Sequence, residues 1–288
     1  KGGGDHEDDM TSLYNIDYLK FLCKKYGLIP SKKYGQNFLI DAEPINKMIE
    51  AAAVGPNDTV VEIGPGFGPL TFALAEKAKK VLAFEIEKKL KPYWDEQQNK
   101  FINLEIIWGN VLHTPPFIPP LKGEGQGVGF KVVANIPYQI TSEVIRKFLE
   151  AENKPELMVL MVQKEVAERI CAKPGDMSVL AISVQYYADP EIVAQVPKSY
   201  FWPVPAVNSA IIKISNIKSD KATEEFFKIV KAGFANRRKM LVKNLGSVVD
   251  KKKLPAIFEE LGISEKVRAQ ELSVEQWRGL VAKLSFPT

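Results

Sequence analysis

Five short apolar runs, Val60-Val61-Glu62-Ile63, Val81-Leu82-Ala83-Phe84, Leu104-Glu105-Ile106-Ile107-Trp108, Lys131-Val132-Val133-Ala134 and Leu157-Met158-Val159-Leu160-Met161-Val162, punctuate the first 163 positions. Each has the length and the β-branched content of a buried strand. Segments of helical character separate them. Ile45, Met48, Ile49 and Ala52 share one face, with Asp41 as the expected N-cap, Pro44 in the first turn and Gly55-Pro56 as the stop. Residues 87–98, a stretch from about Thr141, and residues 164–171 also read as helix. Strands alternating with helices at this spacing predict an α/β fold with a parallel sheet. Residues 179–187, 191–196 and 210–214 are β-type runs with no evident helix between them, which predicts antiparallel pairing at a sheet edge.

From Lys221 the period turns helical. Phe226, Phe227, Val230 and Phe234 fall on one face, followed by Leu241 and Leu245, then Leu254, Ile257, Phe258 and Leu261, then residues 272–284. The predicted organisation is an α/β domain over 31–218 and a small all-helical C-terminal domain over 219–288. Residues 1–30 are set apart as an N-terminal extension. Its first ten residues are glycine-rich and acidic and are expected to be disordered, while Leu13, Ile16, Leu19, Phe21, Leu22 and Tyr26 predict an amphipathic helix ending near Gly27. The stretch 114–129, with four prolines and four glycines, reads as a long surface loop.

Composition narrows the class. Hydrophobic residues make up 45% of 288, ample for a core, but no run approaches the roughly 18 apolar residues of a membrane span. No secretory signal pattern is present, so a cytoplasmic protein is expected. Two distant cysteines, Cys23 and Cys171, and two histidines, His6 and His113, offer neither a disulfide framework nor a zinc site. Residues 201–288 hold 16 Lys and Arg against 9 Asp and Glu, a net +7, which leaves residues 1–200 at −3. A basic end on a near-neutral body suits a polyanionic partner, or simply solvated helix faces.

The chemistry gathers where apolar runs end. Gly64, Gly66 and Gly68 open a turn free of Cβ atoms, so a flat ligand can approach the main chain, and Glu85, about twenty residues on, stands where a carboxylate would accept from a ribose. A dinucleotide, S-adenosylmethionine or a merely structural turn all fit that pattern. Pro65 removes a backbone N–H from the turn, which disfavours a pyrophosphate and costs a phosphate-free cofactor such as S-adenosylmethionine nothing. Asn135-Ile136-Pro137-Tyr138 ends its strand on the same sheet edge. An amide oxygen there can accept from the exocyclic amine of a base and free its lone pair, while Tyr138 can stack on the ring; the alternative is an Asn-Pro turn with a core tyrosine. Gln36 and Asn37 lie just before a helix, in a loop or a flap over the ligand.

Several motifs in order carry a family resemblance. They are Tyr34-Gly35-Gln36-Asn37-Phe38-Leu39, Glu62-Ile63-Gly64-Pro65-Gly66-Phe67-Gly68, Glu85, Asn135-Ile136-Pro137-Tyr138, Gln163-Lys164-Glu165-Val166-Ala167-Glu168-Arg169, Phe201-Trp202-Pro203-Val204-Pro205, Phe234-Ala235-Asn236-Arg237-Arg238-Lys239 and Ala269-Gln270-Glu271-Leu272-Ser273. Together they resemble the rRNA adenine N6,N6-dimethyltransferases of the KsgA type. The resemblance implies a Rossmann-like S-adenosylmethionine-dependent methyltransferase domain followed by a small helical domain. It implies cofactor binding by Gln36, Asn37, Leu39, Gly64, Gly66, Glu85, Asn110 and Asn135, with Asn110 standing where the family usually has Asp. Asn135 and Tyr138 would meet the target adenine, and Phe201 would form a second aromatic wall, although Phe201 and Trp202 between prolines also fit a packing corner. Arg237, Arg238 and Lys239, read as the start of a helix, would contact rRNA phosphate. The implied activity is dimethylation of two adjacent adenines of small-subunit rRNA late in assembly of the subunit, by a monomer without metal.

Overall fold

The computed structural model describes residues 12–30, 36–113, 129–220 and 224–285. The glycine-rich residues 1–10, Tyr34 and Gly35 of the first motif, and the proline-rich stretch 114–128 lie outside the described residues. The strands are β1 (Phe38–Leu39), β2 (Thr59–Ile63), β3 (Lys80–Glu85), β4 (Leu104–Trp108), β5 (Phe130–Asn135), β6 (Leu157–Gln163), β7 (Asp189–Val196), β8 (Phe201–Trp202) and β9 (Ser209–Ser215). The helices are α1 (Ile16–Lys25), α2 (Glu43–Ala52), α3 (Pro69–Ala75), α4 (Lys91–Gln97), α5 (Thr141–Glu150), α6 (Lys164–Ile170), α7 (Val179–Gln185), α8 (Glu224–Gly233), α9 (Leu241–Leu245), α10 (Leu254–Glu260) and α11 (Val274–Ser285).

Two compact units result, one comprising residues up to 167 with 191–217, the other 168–190 with 218–288. The first is built on a seven-stranded sheet in the order β4-β3-β2-β5-β6-β9-β7. The pairs β2–β3, β3–β4, β2–β5 and β5–β6 are parallel, and β9 runs antiparallel to β6. All five residues of β2 are buried, as expected of a central parallel strand covered on both faces. The chain moves outward from β2 to β4 and then returns to the other side of β2 as β5, so the strand order reverses between β2 and β5. In such sheets the crevice for ligands opens at that point, beyond the carboxyl ends of the two strands. The glycine turn leaves β2 there, and Asn135 ends β5 there. Residues 12–30, set apart in the sequence as an extension, supply Leu13, Leu19, Leu22, Cys23 and Leu28 to the buried core of this unit. Among the described residues no helix is long and apolar enough to cross a membrane.

Three local expectations are corrected. Residues 179–187, expected as strand, contain α7: Ser178 caps it by accepting from the Ala181 N–H at 3.2 Å, and Ala181, Ile182 and Val184 are buried. A short, mostly apolar run, interrupted only by Ser183 and Gln185, has no clear period to distinguish a buried helix from a strand. Ala181 and Ile182 join Phe226, Val230, Leu241, Phe258 and Trp277 in the core of the second unit. Asp41 accepts from the Glu43 N–H at 2.8 Å, but Ala42 is the residue preceding α2, and the helix ends on Ala53 in the left-handed region (φ 44°) rather than on Gly55. Arg237, Arg238 and Lys239 do not start a helix. Asn236 Oδ1 accepts from the Arg238 N–H at 3.2 Å and holds an exposed turn, and α9 begins only at Leu241.

Candidate active site

The crevice is lined by Gln36, Asn37 and Leu39 from the segment around β1, Gly64 and Gly66 from the turn after β2, Glu85 at the end of β3, and Asn135 at the end of β5. Seven residues singled out in the sequence thus meet at one place. Its enclosed space is about 100 Å³. A ligand of nucleoside size is therefore enclosed only in part and extends across the mouth, because sites for such molecules span several hundred Å³.

The turn is shaped by its glycines. Gly64, Gly66 and Gly68 have φ of 71°, 58° and 91°, values that side chains bearing a Cβ adopt at a cost. Two aromatic donors of α4 hold the turn from behind: Tyr93 Oη donates to the Phe67 carbonyl at 2.7 Å and Trp94 Nε1 to the Gly66 carbonyl at 3.1 Å. Those carbonyls would otherwise be polar groups in an apolar setting. Phe38 of β1 packs at a tilt against Phe67 (5.1 Å between ring centres) and stacks on Trp202 (6.3 Å), which ties the segment over the crevice to the turn below it.

Glu85 is only 4% exposed. Its carboxylate accepts from the N–H groups of Gly66 at 3.2 Å, Ile86 at 2.8 Å and Glu87 at 2.7 Å. Burial pushes its pKa up, and those main-chain donors oppose the rise. Glu62, which the sequence reading quoted only as part of a motif, also lines the crevice. It is 2% exposed and its Oε2 has no hydrogen-bond partner. Burial pushes its pKa up to about 8; the Thr71 hydroxyl opposes that rise and the nearby Glu85 adds to it. Glu87 completes a wall that holds, among the described residues, three carboxylates and no Lys, Arg or His. Such a wall repels a pyrophosphate and favours a ligand with positive charge. Ile86, 51% exposed at the rim, offers apolar surface for a flat ring.

Asn135 pairs with Met161 of β6 and is half-buried. Beyond it, Pro137 lines the crevice, while Tyr138 sits one residue further, its hydroxyl 2.7 Å from the fully buried Ser209 Oγ of β9. Burial raises the Tyr138 pKa, so the phenol is neutral and its ring is tethered at the para position. Two expected residues stand elsewhere. Phe201 is 1% exposed within the core, where β8 pairs with β1 (Leu39 opposite Phe201, Phe38 opposite Trp202), and it supports the segment over the crevice. Asn110 is not among the lining residues, and its Oδ1 accepts from the Leu112 N–H at 2.9 Å.

The set fits S-adenosylmethionine. A Cβ on Gly66 would meet the Phe38 ring at 3.5 Å, an ordinary contact, so the positive φ of 58° rather than space favours glycine there, and without a Cβ the main chain lies open to a ligand. Carboxylates stand where a ribose and a cationic amino acid moiety need acceptors.

Comparison with known proteins agrees with this geometry. The family model described as ribosomal RNA adenine dimethylase matches residues 30–285. A "Ribosomal RNA small subunit methyltransferase A" of Dehalococcoides mccartyi is 43% identical over 91% of this chain and 90% of its own length. Among solved structures, a dimethyladenosine transferase from Plasmodium falciparum superimposes with a TM-score of 0.73 at 27% identity, covering 86% of this chain and 97% of that one. The 23S rRNA methyltransferase ErmE superimposes with 0.68 at 28% identity, covering 87% and 100%. With its sheet order, its glycine turn and a match over nearly the whole sequence, the chain belongs to the ribosomal RNA adenine dimethylase family.

Proposed function

We propose that the protein transfers two methyl groups from S-adenosylmethionine to N6 of each of two adjacent adenines in small-subunit rRNA, within a late assembly form of the subunit, acting as a cytoplasmic monomer. The observation that carries the reading is the meeting of Asn135 with the glycine turn and Glu85 in one carboxylate-walled crevice. The relatives named for small-subunit rRNA support it over a large-subunit substrate, since they share 43% of residues against 28% for ErmE.

S-adenosylmethionine supplies an electrophilic methyl group on a sulfonium. Asn135 Oδ1 accepts from the adenine N6–H and turns the nitrogen lone pair out of conjugation, toward the donor. Tyr138, anchored by Ser209, stacks on a base that must leave its helix to reach the site. Each methyl gained at N6 is matched by one proton lost to solvent, so one N–H remains for the acceptor after the first transfer and none after the second, and the dimethylated base loses its hold. Glu85 accepts from the ribose hydroxyls in the plane set by its three main-chain donors. Glu85→Ala is expected to weaken cofactor binding by about 1–3 kcal/mol, read by calorimetry, because charge-assisted bonds are lost; equal affinity in the variant would remove Glu85 from the site.

Arg237, Arg238 and Lys239 are exposed and lie ahead of α9, and rRNA phosphates are the partners proposed for them. Changing Arg237 and Arg238 to Ala should weaken binding to the ribosomal subunit and reduce the slope of log affinity against log salt by about 1 per lost contact, with cofactor binding intact. Unchanged affinity and slope would make this cluster a solvated turn. The function is tested by incubating the protein with labelled cofactor and each undermethylated subunit. Label is expected in the small-subunit rRNA as dimethyladenine; label confined to the large subunit would overturn the reading.

A further inference from the structure

Two buried carboxyls share the crevice and are treated differently by the fold. Glu85 has three main-chain donors, whereas Glu62 leaves Oε2 without a partner. We infer that Glu62 holds a proton while the crevice is empty and releases it to solvent when the cationic cofactor enters, so that Glu62 makes the site selective for positive charge. This rests on the cofactor reading above.

Three observations point the same way. An ionised carboxylate at 2% exposure with an unpartnered oxygen would carry its full desolvation cost, whereas the protonated form carries little. Among the described residues the charged groups around it are of one sign, Glu85 on β3 and Glu87 just beyond it, beside the Thr71 hydroxyl from α3. The lysine on the adjoining strand, Lys131 of β5, pairs opposite Val60 and donates to Asp58 at 2.8 Å and to the Ala53 carbonyl at 2.9 Å, so it serves the other end of β2. With no cation among the described residues of the wall, a cationic ligand is the partner that would favour the ionised carboxyl. When it arrives, the ionised form is favoured, the carboxyl O–H bond breaks, the electron pair stays on Glu62 and the proton passes to buffer. A neutral ligand of the same shape offers no such exchange.

Calorimetric titration of the full chain with S-adenosylmethionine in two buffers of different ionisation enthalpy counts the protons exchanged. At about pH 6.5 the ligand's own amino group is already protonated and contributes little. Wild type should release close to one proton per cofactor bound, and Glu62→Gln, a neutral mimic of the protonated side chain, should release none. The free protein gives a second measurement that also checks folding of the variant. A carboxyl raised from 4.5 to about 8 makes the fold most stable at low pH and less stable as pH rises through that window, so the thermal midpoint of wild type should fall between these values relative to Glu62→Gln. Binding without proton release, release unchanged in Glu62→Gln, or midpoints that run parallel with pH would each overturn the inference. No binding at all by wild type would overturn the cofactor reading, and this inference with it.

Discussion

Asn135→Ala should lower the rate of methyl transfer by about 10²- to 10³-fold, the loss seen when one preorganised hydrogen-bonding group aimed at the reacting atoms is removed. Cofactor affinity should change far less. Asn135 does line the cofactor crevice, so a small effect on binding is expected, but its acceptor is proposed to act on the adenine amine, and an interaction made most strongly in the transition state appears in turnover. The side chain is half-buried at the end of β5, and the strand is fixed by parallel pairing to both β2 and β6. Truncation therefore leaves the main chain in place, with Ile136 N still donating to the Met161 carbonyl at 3.2 Å. Single-turnover kinetics with saturating subunit, paired with calorimetry for the cofactor, separates the two quantities. A variant that methylates at the wild-type rate would show that N6 is not activated by this amide.

Gly68→Ala should destabilise the protein by about 3 kcal/mol, from two costs that add. A side chain at φ 91° is strained, and a Cβ there would lie 2.8 Å from the Phe72 ring and 2.9 Å from the Trp94 ring, both buried in the core. Neither ring can retreat, since Phe72 stacks on Phe101 with centres 5.4 Å apart and Trp94 Nε1 is bonded to the Gly66 carbonyl. The thermal midpoint should fall by about 5–10 °C. Gly66→Ala is the control. At φ 58° with its nearest contact 3.5 Å away, it should cost about 1 kcal/mol in stability while obstructing the groove. Equal midpoints for the two variants would show that the packing behind the turn is looser than these distances imply.

Most of the framework could be read from the sequence because its signals are local. The apolar runs at 60–63, 81–84, 104–108, 131–134 and 157–162 all fall within strands; burial on both faces makes such runs continuous, and glycine and proline punctuate them. The turn at Gly64 to Gly68 and the acid at Glu85 were legible for the same reason: a backbone that must pass close to a ligand, and a carboxylate at the next strand end, leave marks at fixed spacing. The helical period after Lys221 matches α8 to α11, but the second unit also takes in residues 168–190, which the sequence placed in the α/β domain. Where local signal was absent, so was the answer. An apolar run at 179–187 carries no period, and only its place in the core around Trp277 makes it helix. Arg237 and Arg238 were placed in a helix that starts later, because the Asn236 side chain competes for the backbone.

The chain by itself determined where the strands of the parallel sheet and the glycine turn fall, and which side chains end on the ligand edge of the sheet. Tertiary structure alone decided what surrounds those side chains. Antiparallel pairing of β1 with β8, residues more than 160 positions apart, buries Phe201 and carries Phe38 over the glycine turn. Packing of α4 behind that turn supplies the donors for its carbonyls. Burial without a partner sets Glu62 apart from Glu85, although as residue types at strand ends they read alike. Partners and dielectric surroundings come from long-range contacts, and these are fixed only when the whole sheet and its cover close.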